Sequence, residues 1–292
     1  MLSTLRLPGE AWDELGDIEI GAADRARDDV EVLIVANEGV DLELFPSLRL
    51  IANYGVGYDR LDVDACRARG VAVSNTPGVL DAATADLALA LMLAVRRRLV
   101  EGDDLVRAGR WGTSWSGGPF LGREVSGARL GIVGLGRIGS AVARRARGFD
   151  MEVVYYQRTR SDDAGYRGLD DLLRESDIVS LHTPLTQETT GLISRERLAL
   201  LRDGATLVNT ARGAVVDEDA LVDELVSGRI TAGLDVFVHE PHVPEALRGL
   251  PNVVLTPHIA SATVETRGAM TRIVVDNVLA FVRGEPLVSP VE

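Results

Sequence analysis

Lysine does not occur in this chain. All 31 fixed side-chain cations among its 292 residues are arginines, which removes Schiff-base chemistry, a lysine general base and the lysine of a triphosphate-binding loop. A single cysteine, Cys66, leaves no internal disulfide. No apolar run approaches the roughly 20 residues that span a bilayer; the longest, residues 82–95, is interrupted by Thr84 and Asp86 and predicts a buried helix. The amino terminus lacks the basic start and apolar stretch of a secretory signal, so the expected compartment is the cytoplasm. Positive charge is also in deficit: the formal net charge of -13 disfavours nucleic acid and anionic membranes as partners. What remains is globular. Hydrophobic residues at 46% and charged residues at 26% exclude a disordered chain, and the length suits two domains of ordinary size.

The chain is organised around Leu130-Gly-Ile-Val-Gly-Leu-Gly-Arg-Ile-Gly139. An apolar strand runs into Gly134, Gly136 and Gly139 at G-x-G-x-x-G spacing, and a helix follows, with Ile138, Ala141, Val142 and Ala146 on one face and Arg144, Arg145 and Arg147 between them. Glycine triplets arise by chance in a chain with 30 glycines. Strand before and helix after make this one a dinucleotide-binding turn. Gly134 permits the bend, Gly136 lets the backbone approach a pyrophosphate, and Gly139 lets the helix pack on the strand, its N-terminal amides facing the anion.

Around this turn, strand and helix signals alternate. Strands are expected at Val30–Val35, Leu48–Ala52 and Val71–Val73, with helical stretches at Asp41–Phe45 and Leu61–Arg69 between them. One long helix is expected from Asp81 to about Arg107, ended by the Gly- and Trp-rich loop 111–119 at the domain junction. Beyond the cradle, strands are expected at Met151–Tyr156, Asp177–Leu181, Ala205–Val208, Ile230–Val236 and Asn252–Leu255, and a last helix at 262–282 returns to the first domain. The predicted fold is α/β with two doubly wound parallel-sheet domains: a Rossmann-type cofactor domain, 95–263, and a flavodoxin-like, discontinuous substrate domain, 1–94 and 264–292.

In such sheets ligands sit beyond the carboxyl ends of the strands. Arg212, Glu240 and His258 follow three of the predicted strands. With a dinucleotide, these groups suffice to reduce a keto acid. Arginine would hold the substrate by a charge-assisted fork, histidine would donate the proton, and glutamate would favour the charged histidine. Each has a plainer reading alone: a solvated arginine, a buried histidine satisfied by a carbonyl. The loop Asn53-Tyr54-Gly55-Val56-Gly57 offers amides to an anion, or is a simple turn. His239 and His242 flank Glu240-Pro241, but no further ligand cluster is evident and no metal site is expected. His182 reads as packing or cofactor shell, and Cys66 as buried. Trp111 and Trp115 read as loop anchors, or as side chains reaching a partner's substrate pocket across a dimer.

The cradle, His182-Thr183-Pro184-Leu185, Asn209-Thr210-Ala211-Arg212-Gly213, the Asp235–Pro241 stretch and Thr256-Pro257-His258 together resemble the D-isomer-specific 2-hydroxyacid dehydrogenase family, over nearly the whole chain. Within it the sequence is most similar to glyoxylate and hydroxypyruvate reductases, through Tyr54–Asp59 and Tyr156–Arg160. The resemblance implies that Arg212, Glu240 and His258 are the catalytic trio and that the amides of Val56 and Gly57 take the substrate carboxylate. It implies cofactor contacts from Gly134, Gly136, Arg137, Ile138, Gly139, Thr183, Pro184 and Thr210, with Asp235 near the nicotinamide amide, and a homodimer built on the cofactor domain. Formate dehydrogenases pair the histidine with glutamine, and phosphite dehydrogenases use a lysine in the loop matching Tyr54–Tyr58; this chain has neither. A non-catalytic dinucleotide sensor on the same fold is the rival from another class, and the intact trio argues against it. Two departures stand out: relatives carry a complete first strand where this chain starts almost directly at Leu5-Arg6-Leu7-Pro8, implying a trimmed substrate domain or a misassigned start, and Ala260 replaces a common glycine.

Cofactor choice follows from charge. An NAD site places an acid about 20 positions past the cradle to hold the ribose hydroxyls. Here the strand ends Tyr156-Gln157-Arg158-Thr159-Arg160, with no acid and two arginines. Arg158 and Arg160 therefore predict NADPH as the preferred cofactor, with NADH possible; Arg212, Glu240, His258 and the resemblance point to small 2-keto acids as substrates, glyoxylate and hydroxypyruvate foremost.

Overall fold

The computed structural model describes residues 1–112 and 120–291. The first elements are β1 (Leu2–Ser3), β2 (Glu19–Ile20), β3 (Val32–Val35), β4 (Leu50–Asn53), α1 (Val63–Ala68) and β5 (Ala72–Ser74). Next come α2 (Asp81–Arg96), α3 (Leu99–Arg107), β6 (Arg129–Val133), α4 (Arg137–Ala146), β7 (Glu152–Tyr156), α5 (Leu169–Glu175), β8 (Ile178–Leu181) and α6 (Arg195–Leu198). The chain continues through β9 (Thr206–Asn209), α7 (Glu218–Val226), β10 (Thr231–Leu234) and β11 (Val253–Leu255) to α8 (Val264–Arg283).

Two units emerge, residues 1–80 with 261–292, and residues 81–260. The first holds a parallel sheet in the order β2-β1-β3-β4-β5. All four residues of β3 and of β4 are buried, the pattern of a parallel sheet covered on both faces. Leu33, Val35, Phe45, Leu48, Ile51, Cys66 and Val73 share one core, and α8 packs on β4. Each of the large aliphatic side chains here stabilises the fold by about 1.5–3 kcal/mol. Asp62 caps α1 by accepting from the Ala65 N–H, and Thr263 caps α8 by accepting from the Thr266 N–H.

The second unit holds a parallel sheet in the order β11-β10-β9-β8-β6-β7. A single parallel bridge from Tyr166 to Tyr155 adds the trace of another strand beside β7. One core unites α5, α6 and α7 with the sheet through Leu172, Leu173, Leu198 and Leu221; the other unites α2 and α4 with it through Ala88, Met92, Ala141 and Val142. The sheet order reverses between β6 and β8, the crevice where doubly wound folds take their ligand.

Several expectations change. The single helix at 81–107 is two helices, because Arg98 turns left-handed (φ 52°). Arg96 is buried, donating to the carbonyls of Glu124 (2.8 Å) and Asp177 (3.3 Å), while Arg98 pairs with Glu101 and lies over the Phe120 ring. The units also divide at 80/81 and 260/261, where the sequence placed the limits at 94/95 and 263/264. The reason is α2: with no side chain at Gly233 of β10, it lies on the second sheet so closely that a Cβ there would fall 2.8 Å from Leu91 Cβ. Near the amino terminus a first strand is present as β1, paired with both β2 and β3. The helical stretch expected at Asp41–Phe45 is one 3-10 turn, Leu42–Leu44, capped by Asp41. Among the described residues no helix is long and apolar enough to cross a membrane.

Candidate active site

Parallel strands deliver the candidate residues in the second unit. β6 ends at Val133 and gives Gly134; β8 gives His182, Thr183 and Pro184; β9 gives Thr210 and Arg212; β10 gives Asp235 and the Glu240 loop; β11 gives Thr256 and His258. All leave the sheet at its carboxyl ends.

The cradle is built as the glycines require. Gly134 has φ 97°, and a Cβ there would lie 2.8 Å from the His182 carbonyl oxygen; a Cβ at Gly139 would lie 2.1 Å from that of Gly134. Gly136 faces open space. Arg137 and Ile138 open α4, and Arg137 pairs with Asp81 at 3.3 Å. Two hydroxyls nearby in the chain path, Thr183 Oγ1 and Thr210 Oγ1, are buried and meet no hydrogen-bond partner among the described residues. Buried polar atoms are normally satisfied. An open glycine backbone at a helix N-terminus with two orphaned hydroxyls fits a bound dinucleotide. Arg158 and Arg160 stand exposed just past β7, the strand beside β6. Glu188 is held below its ordinary carboxylate value first by the Thr186 hydroxyl, with the Arg158 charge contributing.

Glu240 and His258 meet. His258 Nδ1 lies 2.8 Å from Glu240 Oε2, and Glu240 Oε1 accepts from the Phe237 N–H at 3.0 Å. Burial works to raise the Glu240 carboxyl, but the hydrogen bonds from His258 and Phe237 and the charges of His258 and Arg212 outweigh it and leave the group below its ordinary value. An ionised carboxylate can only accept, so Nδ1 carries a hydrogen and Nε2 is the nitrogen left for chemistry. His258 is left-handed (φ 52°). That turn is clamped by Asp235: its carbonyl accepts from the His258 N–H, and its buried carboxylate accepts from the Thr256 hydroxyl (2.6 Å), the Ile259 N–H (2.8 Å) and the Ala260 N–H (2.9 Å). Burial pushes the Asp235 carboxyl up against these three donors. Asp235, which the resemblance puts near the nicotinamide amide, thus braces the histidine turn. Burial pushes the His182 imidazole down to about 4. It is neutral near pH 7 and unsuited to donating a proton there.

Arg212 is positioned by residues to which the sequence assigned no role. Asn209 donates from Nδ2 to the Arg212 carbonyl (2.9 Å) and accepts the Ala211 N–H on Oδ1 (3.0 Å). Glu218 accepts the Val238 N–H at 3.0 Å. Gly213 lies so close to the Glu240 loop that a Cβ there would fall 2.1 Å from the Phe237 carbonyl carbon. Asn209 and Gly213 belong to the quoted Asn-Thr-Ala-Arg-Gly motif, but only the fold shows what they touch.

In the first unit, Val56 and Gly57 lie in the loop after β4. Among the described residues no acceptor meets either N–H. The Thr76 hydroxyl, beyond β5, is buried and meets no hydrogen-bond partner among the described residues, and Arg267 stacks over the Tyr54 ring. His239 and His242 close a tight bridge on each other, and among the described residues no group of three His, Cys, Asp or Glu is arranged for a metal. Cys66 is buried, as expected. Trp111 is 71% exposed; Trp115 lies outside the described residues.

Comparison with known proteins agrees with this geometry. Residues 89–260 match the family described as D-isomer specific 2-hydroxyacid dehydrogenase, NAD binding domain. The glyoxylate reductase of Pyrococcus furiosus is 50% identical over 94% of this chain and 86% of its own length. A solved Thermus thermophilus protein superposes with a TM-score of 0.92 at 44% identity, covering 100% of this chain and 99% of that one. The NADPH-dependent glyoxylate/hydroxypyruvate reductase of Sinorhizobium meliloti, solved with NADP and malonate, gives 0.90 at 37% identity, covering 99% and 95%.

Proposed function

As the chain belongs to the D-isomer specific 2-hydroxyacid dehydrogenase family of NAD(P)-dependent enzymes, we propose that it reduces small 2-keto acids, glyoxylate and hydroxypyruvate foremost, to D-2-hydroxy acids with NADPH. The observation that carries the reading is the His258–Glu240 pair, which commits Nδ1 and frees Nε2. Names of relatives support the substrate class; the arginines past β7 support NADPH.

Arg212 binds the substrate's carboxylate or carbonyl oxygen through its guanidinium fork. The N–H groups of Val56 and Gly57 take the carboxylate. For the dinucleotide, Gly134, Gly136, Arg137, Ile138 and Gly139 would hold the pyrophosphate, Arg158 and Arg160 the 2'-phosphate, and Thr183, Pro184, Thr210 and Asp235 the nicotinamide side. Bound there, the reduced nicotinamide supplies a hydride to the carbonyl carbon. The chain's own part is the proton. His258 Nε2 gives it to the carbonyl oxygen, the Glu240 carboxylate stabilises the imidazolium that donates it, and the half-exposed ring regains a proton from solvent. We also propose a homodimer through α3 and its flank, where Leu99, Val100, Val106 and Leu121 are exposed.

The test is NADPH oxidation by purified protein with glyoxylate or hydroxypyruvate, run beside His258→Gln. Turnover should fall by about 100-fold or more, the worth of a general acid, while NADPH affinity stays near the parent's. Absence of turnover in the parent, with NADPH still bound, would instead favour the dinucleotide-sensing role.

A further inference from the structure

The loop after β4 carries two N–H groups that are offered outward, and the structure shows what turns them that way. Every carbonyl of Gly55, Val56 and Gly57 is held from behind. Asn53 Nδ2 donates to the carbonyls of Gly55 (3.2 Å) and Gly57 (2.9 Å), Asn75 Nδ2 donates to that of Val56 (2.9 Å), and the Thr76 N–H donates to that of Gly55 (3.0 Å). A peptide unit whose oxygen is fixed on one side presents the neighbouring N–H on the other, and successive N–H groups so presented form an anion-binding concavity. Asn53 is the central fastening. It is fully buried at the carboxyl end of β4, and its Oδ1 accepts the N–H of Asn37, which is left-handed (φ 52°), at 2.7 Å. Both ends of its amide are therefore used on backbone.

We infer that Asn53 is a positioning residue for substrate: by gripping the Gly55 carbonyl it aims the Val56 N–H at the substrate carboxylate, and by gripping the Gly57 carbonyl it holds the loop in which Asn75, on the Val56 carbonyl, aims the Gly57 N–H. The inference rests on the reading that this loop takes that carboxylate. No other residue type does the same work in this space. Aspartate has the same shape but turns an acceptor toward two carbonyl oxygens, and serine keeps only one donor.

The experiment measures oxamate, a carboxylate ligand that is not turned over, by calorimetry on the NADPH-loaded protein, in the parent, Asn53→Asp and Asn53→Ser. Steady-state constants for glyoxylate accompany it. Oxamate affinity should weaken by about tenfold or more in Asn53→Asp, the usual worth of a hydrogen bond to a charged group, and by less in Asn53→Ser. The glyoxylate KM should rise in the same order while kcat stays within about threefold, because the proton donor is untouched. Oxamate binding unchanged in the folded variants, or a loss confined to kcat, would overturn the inference. Failure of both variants to fold would overturn it too, making Asn53 a folding determinant only. A parent that does not reduce glyoxylate yet binds oxamate in an Asn53-dependent manner would defeat the functional reading and keep this one.

Discussion

At the residue scale, cofactor choice comes down to the side chains past β7. Gln157 stands where a ribose-binding acid belongs, and Arg158 and Arg160 follow it, exposed. An NADP 2'-phosphate there gains charge-assisted hydrogen bonds that NAD cannot make. The KM for NADPH should therefore lie well below that for NADH, by about tenfold or more for one such bond, and Arg158→Ala should erase most of the gap by raising the NADPH constant alone. Equal constants in the parent would end the argument. Arg158 could be proposed from sequence because it directly follows the strand that becomes β7. So could Arg212, Glu240 and His258, which are each announced by a local motif. Asn53 and Asn209 were not, since an asparagine gripping backbone carbonyls looks like any turn residue until the carbonyls are placed. His182 reads from sequence as packing or cofactor shell and His258 as the proton donor; burial pushes the His182 imidazole down to about 4, while the His258 side chain is half exposed.

At the element scale, the second sheet was legible strand by strand. β6, β8, β9 and β10 are fully or largely buried apolar runs whose length and punctuation announce them. Short elements were not: β1 and β2 have two residues each and are fixed only by their pairing with neighbours. The break between α2 and α3 was hidden as well. Arg96 through Arg98 read as a helical surface, and only burial of Arg96 against the Glu124 and Asp177 carbonyls gives the chain reason to turn. Between β9 and β10 the loops bearing Arg212 and Glu240 are pressed together at Gly213. Gly213→Ala must force them apart, since its methyl would fall within 2.5 Å of Phe237 and Val238 backbone atoms. We expect a stability loss of about 1–3 kcal/mol, as for other overpacked sites, together with a fall in kcat/KM of about 100-fold, as a misplacement near 1 Å costs. Urea melts and initial rates measure the two separately. Full activity in Gly213→Ala would mean that the spacing of these loops does not govern the chemistry.

At the scale of the whole molecule, the two sheets share the same strand order over their first five strands, so one folding rule, applied twice, produces both units. The parallel, doubly wound character of each sheet was legible from alternation of strand and helix; the shared strand order was not. A face for the proposed dimer is not legible that way, because an apolar residue in a helix signals burial without saying against what. Leu99, Val100 and Val106 of α3 are half exposed or more, and Leu121 is 75% exposed. In an isologous dimer each side chain buries twice. Leu99→Asp with Val106→Asp therefore removes four half-exposed aliphatic contacts, each worth about half of the roughly 1.5–3 kcal/mol of a full burial, about 3–6 kcal/mol in total, enough to weaken association by about 100-fold or more. The parent should sediment with the mass of two chains and the double variant with the mass of one, its NADPH affinity retained because neither residue lies in the cradle. A parent that sediments as one chain rejects the dimer, and a double variant that still sediments as two moves the interface away from α3.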